Sequence, residues 1–207
     1  MDNQAYSSDI AFTPTVKQLQ AERGSRPAYR RMEERGGWRT EITPELADFI
    51  AAQDSLFLGT ATADGQPYIQ HRGGPPGFVH VLDARTLAFA DFRGNRQFIS
   101  TGNLADNPKA FLMLIDYARR RRFKLWGTAR IVNDNPALLQ RLMPAGYEAE
   151  PEQALVFTVA AWDANCPQHI PQRIAAADVA SALAVRDRRI AELEAELASL
   201  RRDAEGG

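Results

Sequence analysis

Short apolar segments follow one another closely through the middle of the chain, and this spacing constrains the fold more than any other feature. The dipeptide Asp64-Gly65 within them is a hairpin signal. Links this short leave no room for the crossover helices of β-α-β units. The pattern therefore predicts a small antiparallel barrel, mainly β with flanking helices. The strand-like segments are two runs around "ADGQ" within residues 55–73, then 77–83, 86–92, 110–117, 122–132 and 154–162.

Helical patterns flank and interrupt these strands. Residues 43–53 predict a helix in which Thr43 is the N-cap and Pro44 takes the first helical position. Residues 135–144 predict a second, short helix between the last two strands. The residues before the first helix are polar and rich in arginine, which predicts an arm with some helix.

The C-terminal residues 174–203 are rich in alanine and carry a heptad pattern. Seven of the eight seam positions are apolar, which favours a coiled coil over an amphipathic helix packed on its own domain. In a parallel dimer, Arg189 faces Glu194 and Glu196 faces Arg201 of the other helix, with opposite charges in both pairs. The seam positions are Ala176, Val179, Leu183, Arg186, Ile190, Leu193, Leu197 and Leu200. The predicted domains are an arm (1–42), a barrel (43–173) and a C-terminal helix (174–207).

Composition excludes several classes of function. The net charge of −1 gives no bulk attraction to nucleic acid or to a membrane surface. The single cysteine, Cys166, excludes an intrachain disulfide, and its expected role is that of a small buried apolar residue. The three histidines are dispersed, so no metal site is expected. The chain shows no signal peptide or transmembrane run, which predicts a cytoplasmic protein without membrane contact.

Two stretches combine glycine with polar side chains next to a predicted strand. "QHRGGPPG" (70–77) permits close backbone approach to a ligand, with His71 and Arg72 alongside, although an ordinary loop has the same composition. "DFRGNRQFISTGNLADNP" (91–108) is too long for a tight turn and rich in hydrogen-bond donors, as anion sites are. A polar loop leading into a helix capped by Asn95 is the other interpretation, and it is compatible with an anion site at the helix N-terminus.

The stretch "RRRRFKLWG" (119–127) runs from four arginines directly into a strand. Because side chains alternate along a strand, Arg122, Lys124 and Trp126 are expected on one face. A cationic face that ends in an aromatic ring suits a flat, anionic, aromatic ligand. A basic edge strand that discourages aggregation is the simpler interpretation.

In this order, the segments resemble the pyridoxamine 5'-phosphate oxidase-like flavin-binding family. The resemblance covers residues 43–173, and "GNRQFISTGNL" and "CPQHIP" are typical of the branch described as predicted flavin-nucleotide-binding proteins. The resemblance implies a split β-barrel homodimer with FMN at the subunit interface. It also implies a small-molecule substrate or electron donor.

The resemblance further implies which residues bind the cofactor and the substrate. The stretch that follows Phe92 would bind the phosphate. The strand that ends in "QHRGG" would run along the ribityl chain and the isoalloxazine. Arg122 would contact flavin from the other subunit. With Asp91 and with Lys124 and Trp126 from the strand argument, the predicted cofactor-binding residues are Gln70, His71, Arg72, Gly73, Asp91, Asn95, Arg96, Gln97, Ser100, Arg122, Lys124 and Trp126. His169 and Arg173 lie near the substrate-binding Arg/His pair of true pyridoxamine phosphate oxidases.

The sequence departs from true pyridoxamine phosphate oxidases at two motifs. Their Ser-Arg-Lys phosphate motif reads Asn95-Arg96-Gln97 here, and "HRGGPPG" replaces their Arg-x-x-Leu-Leu-Lys strand. FMN binding is therefore better supported than oxidation of vitamin B6. The expected function is an FMN-binding oxidoreductase of unknown substrate, with a non-catalytic flavin carrier or redox sensor as the alternative. A nucleic-acid-binding barrel is disfavoured by the balanced charge, while haem and deazaflavin stay open as cofactors.

Overall fold

The computed structural model describes residues 6–164 and 168–205, which divide into two compact units. The first unit contains the described residues up to Asp116 and those from Arg121 to Ala164. The second contains Tyr117–Arg120 and the described residues from Gln168 onward. Cys166 lies outside the described residues, so its expected buried role stays a prediction.

Seven antiparallel strands form one sheet in the order β2-β1-β5-β6-β7-β4-β3. This confirms the predicted split barrel. The bounds of β5 and β6 lie within one residue of those predicted. The strand β7 begins three residues earlier than predicted, and β3 begins three residues later than predicted. The strands are β1 Ser55–Ala61, β2 Pro67–Gly73, β3 His80–Asp83, β4 Thr86–Phe92, β5 Lys109–Asp116, β6 Arg121–Val132 and β7 Pro151–Ala164.

The main core packs against this sheet and is filled by alternate strand residues. Leu56 and Leu58 of β1 are buried, while their neighbours along the strand are only partly covered. The helix α3, Pro44–Ala51, packs into the same core as predicted. The Thr43 hydroxyl accepts a hydrogen bond from the Leu46 amide at 3.3 Å, which caps this helix.

The strands β2 and β3 are the two edges of the sheet, and the barrel is therefore split. No backbone ladder joins β2 to β4 among the described residues. Side chains bridge that gap instead, beginning with the ion pair between Arg72 of β2 and Asp91 of β4. The seam between the two strands is the place where a ligand can approach backbone and side chains together.

The N-terminal residues hold more helix than their sequence suggests. A 3-10 helix, Ser7–Ile10, precedes α1, Pro14–Glu22, and α2, Arg26–Glu34. These helices are polar on most faces, so hydrophobic periodicity does not reveal them. Buried polar contacts stabilise them, above all the ion pair between Arg26 and the fully buried Glu33.

Two further helices belong to the first unit. The helix α4, Ile99–Asp106, follows β4, and α5, Pro136–Leu142, lies between β6 and β7. Phe98, not Asn95, precedes the first residue of α4. The Asn95 side chain instead accepts a hydrogen bond from the Gln97 amide at 3.3 Å, which closes a local turn one step before the helix.

The second unit contains the long helix α6, Ala176–Glu205. Its described side chains are exposed, including 53% of Leu197 and 65% of Leu200 in the predicted seam. Before this helix, the Arg173 amide donates to the Tyr117 carbonyl at 3.3 Å, and the Arg173 guanidinium lies 4.6 Å from the centre of the Tyr117 ring. The coiled coil stays a prediction.

Candidate functional site

A cleft of about 290 Å³ opens along the seam between β2 and β4. The first turn of α4 and the beginning of β7 complete its walls. Seven of the residues that the sequence predicts to bind a cofactor line this one cleft: Gln70, Arg72, Asp91, Asn95, Arg96, Gln97 and Ser100.

The alternation of β2 decides which of its side chains face the cleft. Tyr68, Gln70 and Arg72 line it and are partly covered, while Ile69 and His71 on the other face are exposed. The His71 ring lies 5.8 Å from the Phe57 ring, edge to face. The sequence grouped His71 with its neighbours, but the strand period keeps it out of this cleft, and it lines an adjoining cavity instead.

A second cavity of about 210 Å³ adjoins the cleft along the seam. His71 and Gly73 are among the residues that line it, together with the core residues Phe78 and Phe89. The two cavities share Gln70, Arg72, Asp91, Phe92 and Gly94. They therefore form one continuous path along β2 and β4.

A polar network fixes the floor of the cleft. Asp91 is 7% exposed and pairs with Arg72, while the Gln153 side-chain amide donates to the other Asp91 oxygen at 2.8 Å. The same amide donates to the Thr101 hydroxyl at 2.9 Å. Each oxygen of Asp91 thus accepts from one protein donor, and this arrangement holds Arg72 in position at the cleft.

Sequence reasoning missed Thr101 and Gln153. Gln153 lies on β7, about sixty positions from Asp91 in the chain, and only the pairing of β4 with β7 places the two side by side. No local sequence motif indicates such a residue. A second contact of this kind joins strand and helix, because the Ser100 hydroxyl donates to the Gln70 side-chain oxygen at 2.9 Å.

The loop that leads into α4 adopts an unusual backbone conformation. Arg96 and Phe98 have φ angles of 57° and 54°, in the left-handed region that few residues other than glycine adopt. These two turns bring Ile99, Ser100 and Thr101 to the wall of the cleft. The amides of a first helical turn have no intrahelical acceptors, so they are available to an anion.

The charges that line the cleft are balanced. Arg72 pairs with Asp91, and the Arg96 Nε lies 3.2 Å from a carboxylate oxygen of Glu152. The Arg72 Nε is buried without a hydrogen-bond partner among the described residues. An anion that enters the cleft therefore competes with Glu152 for Arg96 and with Gln70 for the Ser100 hydroxyl, while the backbone amides of the first turn of α4 have no intrahelical acceptor to displace.

Arg122, Lys124 and Trp126 do share one face of β6, opposite the buried Phe123 and Leu125. They do not line the cleft. Trp38 of the N-terminal residues stacks on Trp126, with ring centres 4.5 Å apart and an interplanar angle of 16°. The Lys124 ammonium lies 5.2 Å from the centre of the Trp126 ring and 3.0 Å from Asp163. An aromatic ring of the chain itself therefore covers the face on which the sequence predicted a flat ligand.

A family model described as pyridoxamine 5'-phosphate oxidase matches residues 42–166. The chain belongs to this family. The match spans β1 to β7 and every residue that lines the cleft.

Several solved structures are similar to the chain at low identity. HupZ of Group A Streptococcus is 21% identical, with a TM-score of 0.50, over 64% of this chain and 99% of that one. A putative pyridoxamine 5'-phosphate oxidase from Lactobacillus delbrueckii is 18% identical, with a TM-score of 0.48, over 60% and 95%. An FMN-binding protein from Syntrophomonas wolfei is 12% identical, with a TM-score of 0.46, over 73% and 97%. HupZ supports the shared fold. A search of curated proteins found no match.

The two predicted substrate residues belong to the second unit. His169 is exposed and has a φ of 62°, and Arg173 contacts the Tyr117 ring within that unit. Their substrate role stays a prediction.

Residues 6–164 and 168–205 hold no metal-ligand cluster and no membrane-spanning helix. This part of the chain contains no group of three or more histidine, cysteine, aspartate or glutamate side chains that could hold a metal ion. None of its helices is long and apolar enough to cross a bilayer.

Proposed function

We propose that the protein binds FMN along the seam between β2 and β4 and acts as an FMN-dependent oxidoreductase. The observation that carries this proposal is the convergence of Gln70, Arg96 and Ser100 on the first turn of α4, in a member of the pyridoxamine 5'-phosphate oxidase family. Hydroxyl, amide and guanidinium donors around a helix N-terminus are the groups that proteins use to hold a phosphate.

The shape of the seam supports FMN over a free phosphate. The cleft at α4 suits the phosphate, and the adjoining cavity along β2 and β4 suits the ribityl chain. Gln70 and Arg72 are shared by both cavities and present polar atoms to that chain. Each cavity alone, at about 290 and 210 Å³, is below the 300–1,000 Å³ typical of ligand pockets, so a ligand the size of FMN would have to occupy both. In this proposal the isoalloxazine extends from them toward a second subunit.

A surface suited to that second subunit lies on the outer face of the sheet. Phe57, Ile69, Phe111 and Met113 are neighbours there across β2, β1 and β5, and Ile69 is 69% exposed. Apolar side chains clustered on one face of a sheet are typical of interfaces between subunits. The proposal therefore includes a homodimer that pairs through this face and holds flavin at the interface.

Bound FMN supplies the hydride or electron chemistry, and the chain binds and orients it. Asp91 and Glu152, the two carboxylates that line the cleft, are both held in ion pairs. This observation favours a second candidate, a flavin-binding carrier or redox sensor without turnover of its own. Steady-state oxidation of NADH, NADPH or pyridoxamine 5'-phosphate by the FMN-loaded protein separates the two candidates.

The first test is the visible spectrum of the purified protein after incubation with FMN and desalting. Retained flavin bands support the proposal, and riboflavin, which lacks the phosphate, should be retained less well. Arg96→Gln should release FMN and leave riboflavin retention unchanged. A colourless wild-type protein refutes FMN binding, and retention of haem or deazaflavin in its place would reassign the seam to that cofactor.

A further inference from the structure

A third cavity lies far from the seam between β2 and β4. It encloses about 590 Å³ between the N-terminal helices and the ends of β6 and β7. Gln153 at the seam and Trp162 at this cavity are nine residues apart on β7, which corresponds to a separation on the order of 30 Å. Within one chain, the two sites are therefore independent.

The walls of this cavity are aromatic. Phe12, Tyr29 and Trp38 come from the N-terminal residues, and Trp162 comes from β7. The Phe12 ring lies edge-on to both Tyr29 and Trp38, with ring centres 5.2 and 5.0 Å apart. Rings arranged in this way offer faces and edges to a planar aromatic guest.

Hydrogen bonds hold the aromatic walls in place. The Ser7 hydroxyl donates to the Trp38 carbonyl at 2.6 Å, and the Trp162 indole donates to the Glu41 carbonyl at 2.7 Å. The Trp162 amide donates to the Arg39 carbonyl at 2.8 Å, which joins the N-terminal residues to β7. A cavity fixed by such contacts is preformed, so a ligand does not have to order its walls.

One cation in the cavity has no acidic partner among the described residues. Lys124 pairs with Asp163 at 3.0 Å, and Glu45 pairs with Arg121 at 2.6 Å. The Arg39 guanidinium lies 5.5 Å from the centre of the Trp162 ring and forms no ion pair with a carboxylate of residues 6–164 or 168–205. A guanidinium above an aromatic face still presents its N–H groups at its edges, where a carboxylate can accept two of them.

We propose that this cavity is a binding site for a planar aromatic carboxylate. The ring of the ligand packs among Phe12, Tyr29 and Trp38, and its carboxylate pairs with Arg39. The volume falls within the range of small-molecule pockets. The site goes beyond the proposed flavin function and does not depend on it.

The test uses the full-length protein with naphthalene-2-carboxylate as the probe and its neutral amide as the matched ligand. Calorimetry should show that the carboxylate binds more tightly than the amide. Arg39→Gln should weaken carboxylate binding by about tenfold, the loss expected for one charge-assisted contact. It should leave amide binding unchanged. Arg30→Gln, which removes an exposed charge outside the cavity, is the control and should have no effect.

A gain-of-affinity variant keeps the test informative if Arg39→Gln does not fold. Asp163→Asn frees Lys124 from its partner, so it should tighten carboxylate binding by about threefold to tenfold. Misfolding cannot produce that gain. The proposal is overturned if wild-type protein does not bind the carboxylate at about 1 mM, if amide and carboxylate bind equally, or if Arg96→Gln at the seam weakens binding as much as Arg39→Gln.

Discussion

The carboxylate of Glu152 pairs with Arg96 and therefore opposes the binding of an anion in the cleft. Glu152→Gln should tighten FMN binding by about threefold to tenfold, because Arg96 no longer has a competing partner. Fluorescence titration of FMN measures this change. Glu150→Gln is the matched control, since Glu150 pairs with Arg93 outside the cleft at 2.8 Å, and it should leave affinity unchanged. Equal effects of the two substitutions would show that the cleft responds only to net charge.

His80 makes the stability of the protein depend on pH near neutrality. Burial, and then the positive charge of Arg141, lower the pKa of His80 below 6.5, and its Nε2 is buried without a partner among the described residues. The unfolded chain therefore binds a proton that the folded chain excludes, and stability falls as the pH drops from 6.5 toward the lowered pKa. The urea midpoint should fall across this window in the wild type and stay flatter in His80→Asn. A parallel decline in both proteins would contradict this assignment.

The other groups with lowered pKa values change the stability of the protein at lower pH than His80 does. Asp9, Asp64 and Asp83 also have lowered pKa values, but their ordinary value is 3.8, so they act in more acidic solution. In Asp9, burial opposes the shift and the Lys17 hydrogen bond lowers the pKa.

At the residue scale, the sequence predicts donors better than their partners. The composition of residues 91–108 identifies Arg96 and Ser100 as cleft residues, because anion sites need such groups close together in the chain. It does not identify Glu152 or Gln153, which reach the cleft only through the pairing of β7 with β4. The stack of Trp38 on Trp126 was likewise hidden, because nothing local links residues so far apart.

Among the strands, β6 has a close approach to β7 that only glycine allows. A Cβ at Gly127 would overlap the Thr158 carbonyl and lie 2.9 Å from the Phe157 ring, beside a register shift between Trp126 and Gly127. Gly127→Ala should lower the free energy of unfolding by about 3 kcal/mol or more. Gly102→Ala, in the open interior of α4, should raise it by about 0.5–1 kcal/mol. Thermal denaturation of both variants compares them directly, and a stable Gly127→Ala would argue against the β6–β7 register.

We predict that the helix α6 pairs with a second copy along its heptad seam. Its apolar seam side chains are exposed, and pairing would bury them. Leu193→Asp, in the heptad seam of α6, should lower the helical circular dichroism signal and make that signal depend on protein concentration. Val185→Asp, also exposed but outside the seam, is the control. Equal signals in the two variants would contradict the coiled coil.

The sequence predicts best those helices and strands that are stabilised by residues close together in the chain. The capped and amphipathic α3 and the hairpin of β1 and β2 follow from neighbouring residues, and the structure confirms both. The helices α1 and α2 are held by polar contacts, such as the ion pair between Arg26 and the buried Glu33 within α2, instead of by an apolar face, so periodicity indicates an irregular arm there. The helix α4 begins at Ile99, later than a cap at Asn95 would place it, because two residues of the preceding loop adopt left-handed conformations.

For the whole molecule, two surfaces are proposed to join the same two subunits. The sheet face around Ile69 would also enclose flavin, while the α6 seam would not. If both surfaces pair, neither Ile69→Lys nor Leu193→Asp alone should abolish the dimer, whereas the double variant should sediment at the 23.0 kDa of one chain. Wild-type protein should sediment at twice that mass.

Flavin retention distinguishes the two surfaces. Ile69→Lys should release FMN, because a charge on the sheet face disrupts the interface that encloses the isoalloxazine, while Leu193→Asp should retain it. Val81→Lys is the matched control, since Val81 is an exposed apolar residue on β3, the opposite sheet edge. A monomeric wild type that retains FMN would place the whole site within one chain. Equal FMN loss in Ile69→Lys and Val81→Lys would indicate general destabilisation, and the sheet face would then have no special role in binding.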